Sequence, residues 1–414
     1  MPPDDARYLY CTFQAEKVQK KEARLRIRDL PRPVWTLGWV SLATDAATEA
    51  IYPLLPFFLT RVLGAGAISL GLIEGVAEAA SGLFKIASGR LSDRWQRRQP
   101  IVLSGYALSS AARPFISLAT MWPQVLALRF VDRVGKGIRS APRDAMLAFW
   151  ASEGSRGLVY GFHRAMDHAG AIVGPLAASL FLVLYPGRYR TLFALTAIPG
   201  AIAVLLLTRV SDVTAPSPGA HLDGAWRPWW ELPRELYRYL FVLAIFTLGN
   251  STDAFLLLRM ADAGGSPAMM PVLWALLHIV KAGLSVAGGL LSDRIGRRRV
   301  IVLGWLVYST VYTGFAMSAA YGALVFWFLV YGLYFGLTEG VERALIADLA
   351  PLEARGAAFG AYNAVVGIGA LLASLLFGAL WEAFGAAVAF GTGASLALLA
   401  SILLYVMVPA RARP

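Results

Sequence analysis

Five charged residues, Arg129, Asp132, Arg133, Lys136 and Arg139, interrupt an otherwise apolar stretch of this chain. At about 100° per residue they fall within a wedge of roughly 120° on one helix face. In hydrocarbon, at about 2.5–3.5 kcal/mol for each central charge, they would together cost upwards of roughly 10 kcal/mol. They must therefore point inward, and a water-filled cavity is the simplest interior for them. A second stripe, Ser41, Thr44, Asp45, Thr48, Glu49 and Tyr52, recurs at helical spacing, and a third holds Glu74, Glu78, Ser81 and Lys85. Arg113 adds one more charge, and the later part of the chain contributes Asn250, Asp253, His278, Lys281, Glu339, Glu342 and Arg343. A carboxylate near arginines in a partly dry cavity can take up and release a proton as the cavity opens and closes. Asp45 or Glu49 is the expected proton carrier, with Arg129 and Arg133 facing it. For Glu74, Glu78, Lys85, Arg143, Glu342 and Arg343, several of them toward helix ends, simple ion pairing is the expected role.

Other chemistries fit less well. His163, Arg164, Asp167 and His168 cluster in sequence, but with four histidines in the chain and an arginine inside the cluster, a salt-bridge network is expected rather than a metal site. Gly135-Lys136-Gly137 lies within a helical pattern and is no phosphate-binding loop, so ATP hydrolysis is not expected. No clustered nucleophile and base suggests an enzyme. Neither a cofactor nor a metal is expected.

The elements that must position these residues are membrane helices. Of 414 residues, 57% are hydrophobic and 15% charged, whereas soluble domains carry about 25% charge. Thr191 to Leu207, Val300 to Ala319 and Ala386 to Val408 are long and free of charge, and roughly 20 such residues cross a bilayer core. The pattern predicts twelve helices over 34–61, 68–90, 100–120, 123–149, 157–185, 191–209, 237–258, 269–291, 299–319, 321–349, 356–383 and 386–408. Residues 1–33 form a basic arm, 210–236 a Pro- and Gly-containing linker, and 409–414 a tail; the two bundles are 34–209 and 237–408. The net charge of +12 is topology rather than affinity for nucleic acid. Its basic clusters, in the arm, at Arg94-Arg97-Arg98, in the linker, at Arg294-Arg297-Arg298-Arg299 and at Arg411 and Arg413, all fall on one side of the bilayer. That side is expected to be cytosolic, with both termini on it, in a bacterial inner membrane. Cys11 is the single cysteine, so no intrachain disulfide forms.

The two halves repeat. Gly89-Arg90-Leu91-Ser92-Asp93-Arg94-Trp95-Gln96-Arg97-Arg98 matches Gly289-Leu290-Leu291-Ser292-Asp293-Arg294-Ile295-Gly296-Arg297-Arg298, and Arg156-Gly157 with Gly161 matches Arg355-Gly356 with Gly360 at nearly the same offset. Duplicated six-helix units are common in secondary transporters. The Gly-x-Leu-x-Asp-Arg-x-x-Arg-Arg segment after the second predicted helix, repeated after the eighth, resembles the signature loop of the major facilitator superfamily. The likeness spans about Trp35 to Val408, with Gln96 replacing the usual glycine in the first copy. Asp132-Arg133-Val134-Gly135-Lys136-Gly137-Ile138-Arg139-Ser140-Ala141-Pro142-Arg143-Asp144 resembles a segment of a bacterial branch of that family.

The resemblance implies an all-α membrane fold of twelve helices in two six-helix repeats. It implies gating by Gly89, Asp93, Arg94, Arg97 and Arg98 and by Gly289, Asp293, Arg294, Arg297 and Arg298. An arginine at the position resembling Arg133 is often implicated in proton coupling, and Lys136 and Arg139 replace neutral residues, which suits an anionic substrate group. Gly170, Gly174 and Pro175 resemble the antiporter stretch of the family, although close helix packing explains the glycines nearly as well. The expected function is secondary active transport by alternating access, with proton-coupled efflux of a small organic solute first and proton-coupled uptake of an anionic solute second. A lipid flippase, a membrane-embedded enzyme and a sensor are remoter alternatives. The expected partners are the substrate, protons and the lipid bilayer; a monomer is expected.

Overall fold

The computed structural model describes residues 27–95, 97–150, 156–212, 232–350 and 355–408. The arm and most of the linker lie outside them, and the described residues contain no strand. The helices are α1 (Arg32–Ile51), α2 (Ala67–Trp95), α3 (Gln99–Phe115), α4 (Trp122–Trp150), α5 (Arg156–Leu184), α6 in two pieces (Tyr189–Leu195 and Ala197–Leu207), α7 in two pieces (Arg234–Gly249 and Ala254–Asp262), α8 (Met269–Ile295), α9 (Arg297–Met317), α10 (Tyr321–Leu349), α11 (Arg355–Phe384) and α12 (Ala386–Met407). Ten of the twelve segments are long and apolar enough to cross a membrane. The others are the first, which is interrupted, and α4, which carries the five charges.

Two helices differ from the sequence expectation. The predicted helix 34–61 leaves regular α geometry at Tyr52, where Pro53 and Pro56 remove backbone donors, and continues as short turns to Val62. The predicted helix 237–258 breaks at Asn250, with φ −98° and ψ 82°. Unpaired backbone is tolerated inside a membrane only where protein groups satisfy it, and here tyrosines surround the break. Tyr308 Oη donates to the Gly249 carbonyl at 2.9 Å, Tyr331 Oη donates to Asp253 Oδ1 at 2.8 Å, Asn250 donates to Tyr334 Oη at 3.2 Å, and Ser251 meets Tyr312 at 3.3 Å.

Each half has its own packing, and the pattern repeats. α1 packs on α5 and α6, α2 on α4, and α3 on α4 and α6; α7 packs on α11 and α12, α8 on α10, and α9 on α10 and α12. Details recur too. A Cβ on Gly105 would lie 2.8 Å from Arg139 Cβ, and one on Gly304 would run into Thr338, so α3–α4 and α9–α10 cross equally tightly at matching positions.

The halves meet along α2–α11 and α5–α8, and only toward one end. There, a Cβ on Gly71 would strike the Ser374 carbonyl, one on Gly75 would lie 3.1 Å from Leu371 Cα, and one on Gly378 would lie 3.0 Å from Ile68 Cα. Arg61 Nη2 donates to the Ala261 carbonyl at 3.2 Å, the Ile68 N–H to Glu382 Oε1 at 2.8 Å, and Ser179 Oγ to the Ala268 carbonyl at 2.7 Å. Toward the other end, Gly82, Gly283, Gly340 and Gly360 face open space, and Leu83 is 67% exposed. The molecule is a cleft, sealed at one end and open on the face that carries residues 27 and 408.

Candidate functional site

α4 lies against α2 and α3, and its charges are drawn to those neighbours. Arg129 grips Glu74 with both carboxylate oxygens engaged, at 2.7 Å and 2.9 Å from Nη2. Asp132 receives Arg113 Nε at 2.9 Å, with Arg129 Nη1 at 3.5 Å from its other oxygen. Arg139 donates to Ser109 Oγ at 2.7 Å and stands 4.5 Å over the Tyr106 ring. Contact of the α3 and α4 backbones makes this reach possible, since a Cβ on Gly105 would lie 2.7 Å from the Gly135 carbonyl oxygen. All these charged groups are buried.

The expectation that the five charges line one water-filled face is therefore corrected: of them only Lys136 is exposed. Their pairing on α2 and α3 replaces hydration, which also makes Arg129 a packing residue. Arg133 is buried too, with half-exposed Glu78 at 3.8 Å as its nearest carboxylate and its Nε without a hydrogen-bond partner.

Deeper in the cleft the two halves touch through polar side chains. Glu49 Oε2 accepts a hydrogen bond from Trp274 Nε1 at 2.8 Å. Tyr52 and Thr252 share a hydrogen bond of 3.1 Å, and the Tyr52 and Trp274 rings lie 4.9 Å apart. Asp45, one turn from Glu49 and partly exposed, lies within electrostatic reach of Lys136, Arg139, Asp167 and Glu49. On the second half, Lys281 Nζ sits 3.3 Å above the Phe335 ring and 3.7 Å from Asp253. The His278 ring stands 5.3 Å from Trp274 and 6.5 Å from His168 of the first half, and Glu339 is exposed. Asp45, Glu49, Lys136, Asn250, Asp253, His278 and Glu339 are thus distributed around the cleft, whereas Arg113, Arg129 and Asp132 stand behind its wall.

The remaining predicted residues serve their own halves. Asp293 pairs with Arg297 at 2.6 Å, and Arg297 also reaches Asp348 at 3.4 Å. Arg298 donates to the Val408 carbonyl at 2.7 Å, and Arg98 to the Ala145 carbonyl at 3.4 Å. Arg97 is exposed, and the side chains of Asp93 and Arg94 lie outside the described residues. Gly170 and Gly174 bring α5 against Leu42 and Ala46 of α1, the close approach that small residues permit. Asp167 accepts from Ser41, pairs with Arg164 at 3.6 Å and lies 3.5 Å from His163 Nδ1. Glu342, expected in an ion pair, has none among the described residues; it accepts from Trp305 and Tyr362 instead. Sequence reasoning missed Trp274 and the tyrosines around the α7 break. Tyr308 with Tyr312, and Tyr331 with Tyr334, do stand at helical spacing, the signal that was available.

The Major Facilitator Superfamily profile matches residues 37–280 and 239–414. An uncharacterized MFS-type transporter of Methanocaldococcus jannaschii is 33% identical over 91% of this chain and 95% of its own length. The fosmidomycin resistance protein of Escherichia coli is 25% identical over 73% of this chain and 82% of its own. Among solved structures, an inward-facing bacterial homolog of the human lysosomal transporter Spinster superposes with a TM-score of 0.69 at 15% identity, covering 91% of this chain and 95% of that one. A nucleoside transporter superposes with a TM-score of 0.75 at 12% identity, covering 91% of this chain and 99% of that one. These structural likenesses bear on the fold. With the profile spanning both halves and a relative above 30% identity over nearly the whole length, the chain belongs to the major facilitator superfamily.

Proposed function

We propose that this transporter exports a small organic solute in exchange for protons, by alternating access between the bundles 34–209 and 237–408. The observation that carries this reading is the Glu49–Trp274 hydrogen bond across the cleft. An ionised carboxylate holds an indole N–H more strongly than a protonated one does. Deprotonated and empty, the carrier is therefore held with the cleft open on one face. A substrate that competes for Glu49, or a proton that neutralises it, releases the hold. Such a lock penalises passage of the empty, deprotonated carrier, which an exchanger must suppress and a symporter must allow. Asp45, one turn away, shares the proton. Resistance in the name of the E. coli relative agrees with export.

The basic loops around Arg97, Arg98, Arg297 and Arg298 rim the open face, so the positive-inside rule makes that face and both termini cytosolic. The site accepts a proton and a solute and performs no covalent chemistry. Uptake of an anionic solute is the second reading, favoured by Lys136, an exposed residue on the α4 face.

Comparative accumulation tests the choice. Transporter-depleted bacteria expressing the wild type or Asp45→Asn are exposed to mixed drugs, siderophores and organic anions, and intracellular levels are read by mass spectrometry. Export predicts compounds depleted only by the wild type, with levels restored when the proton gradient is collapsed. Enrichment by the wild type reverses the direction, and equal behaviour of the two proteins on a transported compound removes Asp45 from the mechanism.

A further inference from the structure

Three carboxylates are almost wholly buried among the described residues: Glu74, Asp132 and Glu342. The first two lie on arginines, at 2.7 Å and 2.9 Å. Glu342 has no cation paired with it among the described residues. Its Oε1 accepts from the Trp305 indole N–H at 3.0 Å and its Oε2 from the Tyr362 hydroxyl at 3.1 Å. Both donors are neutral. Arg343 and Glu339, its neighbours on α10, are exposed, and the next residue along a helix points about 100° away.

The surrounding walls are aromatic. Phe246 from α7 stacks on Trp305 at 4.3 Å. The Tyr239 and Tyr334 hydroxyls lie within electrostatic reach of Glu342, and the Tyr239 hydroxyl has no hydrogen-bond partner. At the matching α3–α4 crossing of the first half stands a cation, Arg139 over Tyr106. The halves have thus placed opposite charges behind similar crossings, each held by neutral partners. A carboxylate removed from water without a cation is costly, and such groups neutralise by taking a proton.

We propose that Glu342 is a proton-binding site of the second half, distinct from Asp45 and Glu49 and reached from solvent through partly exposed Tyr362. The proton is held where α9, α10 and α11 meet. Its loss puts a bare charge among these three helices and alters how α11 seats on α10. The proposal rests on neither the direction of transport nor the identity of the solute.

Infrared difference spectroscopy on the purified chain in lipid nanodiscs reads protonated carboxyls by their C=O stretch, with no substrate required. Taken from about pH 5 to about pH 10, a window above ordinary carboxylate titration, the wild type loses one such band that Glu342→Gln lacks throughout. Asp45→Asn retains it. A full band in Glu342→Gln overturns the proposal, as does a wild type with no carboxyl band to lose. If Glu342→Gln fails to fold, Trp305→Phe and Tyr362→Phe replace it. Each removes one hydrogen bond and shifts the band frequency, and an unshifted band in both overturns the proposal equally. A failed transport assay leaves these spectra unaffected, so the two readings stand or fall separately.

Discussion

Gly71 offers a test of how the cleft is sealed. A Cβ there would strike the Ser374 carbonyl, with Phe255 Cζ at 3.3 Å. A backbone carbonyl in a helix cannot swing aside, so Gly71→Val forces α2 and α11 apart, and only in the state where that seam is closed. Overpacking of this kind costs about 1–3 kcal/mol, which tilts a two-state equilibrium by about 5- to 150-fold. Gly82, on the same helix, faces open space, so Gly82→Val leaves the closed seam untouched. The assay uses Cys11→Ser to clear the single native cysteine and Thr252→Cys as a probe in the sealed part of the cleft, where Thr252 meets Tyr52. A membrane-impermeant maleimide is added from the face opposite residues 27 and 408. Gly71→Val should label faster by a factor in the stated range, and Gly82→Val no faster than the parent. Equal labelling of the two variants would refute the argument that backbone contact at this seam holds the structure in its present state.

Other outcomes follow from the charge network. Glu74→Ala takes from buried Arg129 its hydrogen-bonded carboxylate, leaving only Asp132 at 3.5 Å, and should lower unfolding stability by about 3–5 kcal/mol, whereas Glu78→Ala, on a half-exposed carboxylate 3.8 Å from its arginine, should cost about 1 kcal/mol or less; chemical unfolding in detergent separates them. Trp274→Phe removes a hydrogen bond to a charged group, worth about 1.5–3 kcal/mol, and should raise the same maleimide labelling without disturbing the fold as judged by circular dichroism. Tyr331→Phe withdraws the hydroxyl from Asp253, leaves Lys281 as its partner at 3.7 Å, and should lower the melting temperature more than Tyr321→Phe at the half-buried start of α10.

Much of the architecture was written in run length and repetition. The eighth helix, expected over 269–291, is Met269–Ile295, and the ninth, expected over 299–319, is Arg297–Met317; both are apolar spans set between basic loops. The breaks were less legible. Pro53 and Pro56 lay inside an expected helix of 34–61, yet a membrane span tolerates proline when neighbours satisfy the freed groups, so the residues alone did not decide. The α7 break contains no proline and depends on tyrosines from α9 and α10, which only tertiary packing brings to it. The charges of α4 show the same limit. Helical spacing gave the face they share but not what lies against it, and Glu74 at Arg129 turns an expected cavity wall into a buried clamp. Trp274 carried no signal as a partner of Glu49, because spacing within one helix says nothing about its neighbour across the cleft.

The contacts between halves share one property. Trp274 to Glu49, Tyr52 to Thr252, Arg61 to a carbonyl, the Ile68 amide to Glu382 and Ser179 to a carbonyl each engage at most one formal charge. Every ion pair among the described residues stays within its own half. Salt screens charge on charge far more than it weakens short dipolar bonds. The contacts that hold the halves together in this state should therefore be little affected by ionic strength. Under the proposed exchange, a cell moving between dilute and saline surroundings would keep the same resting orientation, and the signal that moves it would come from the charge entering the cleft.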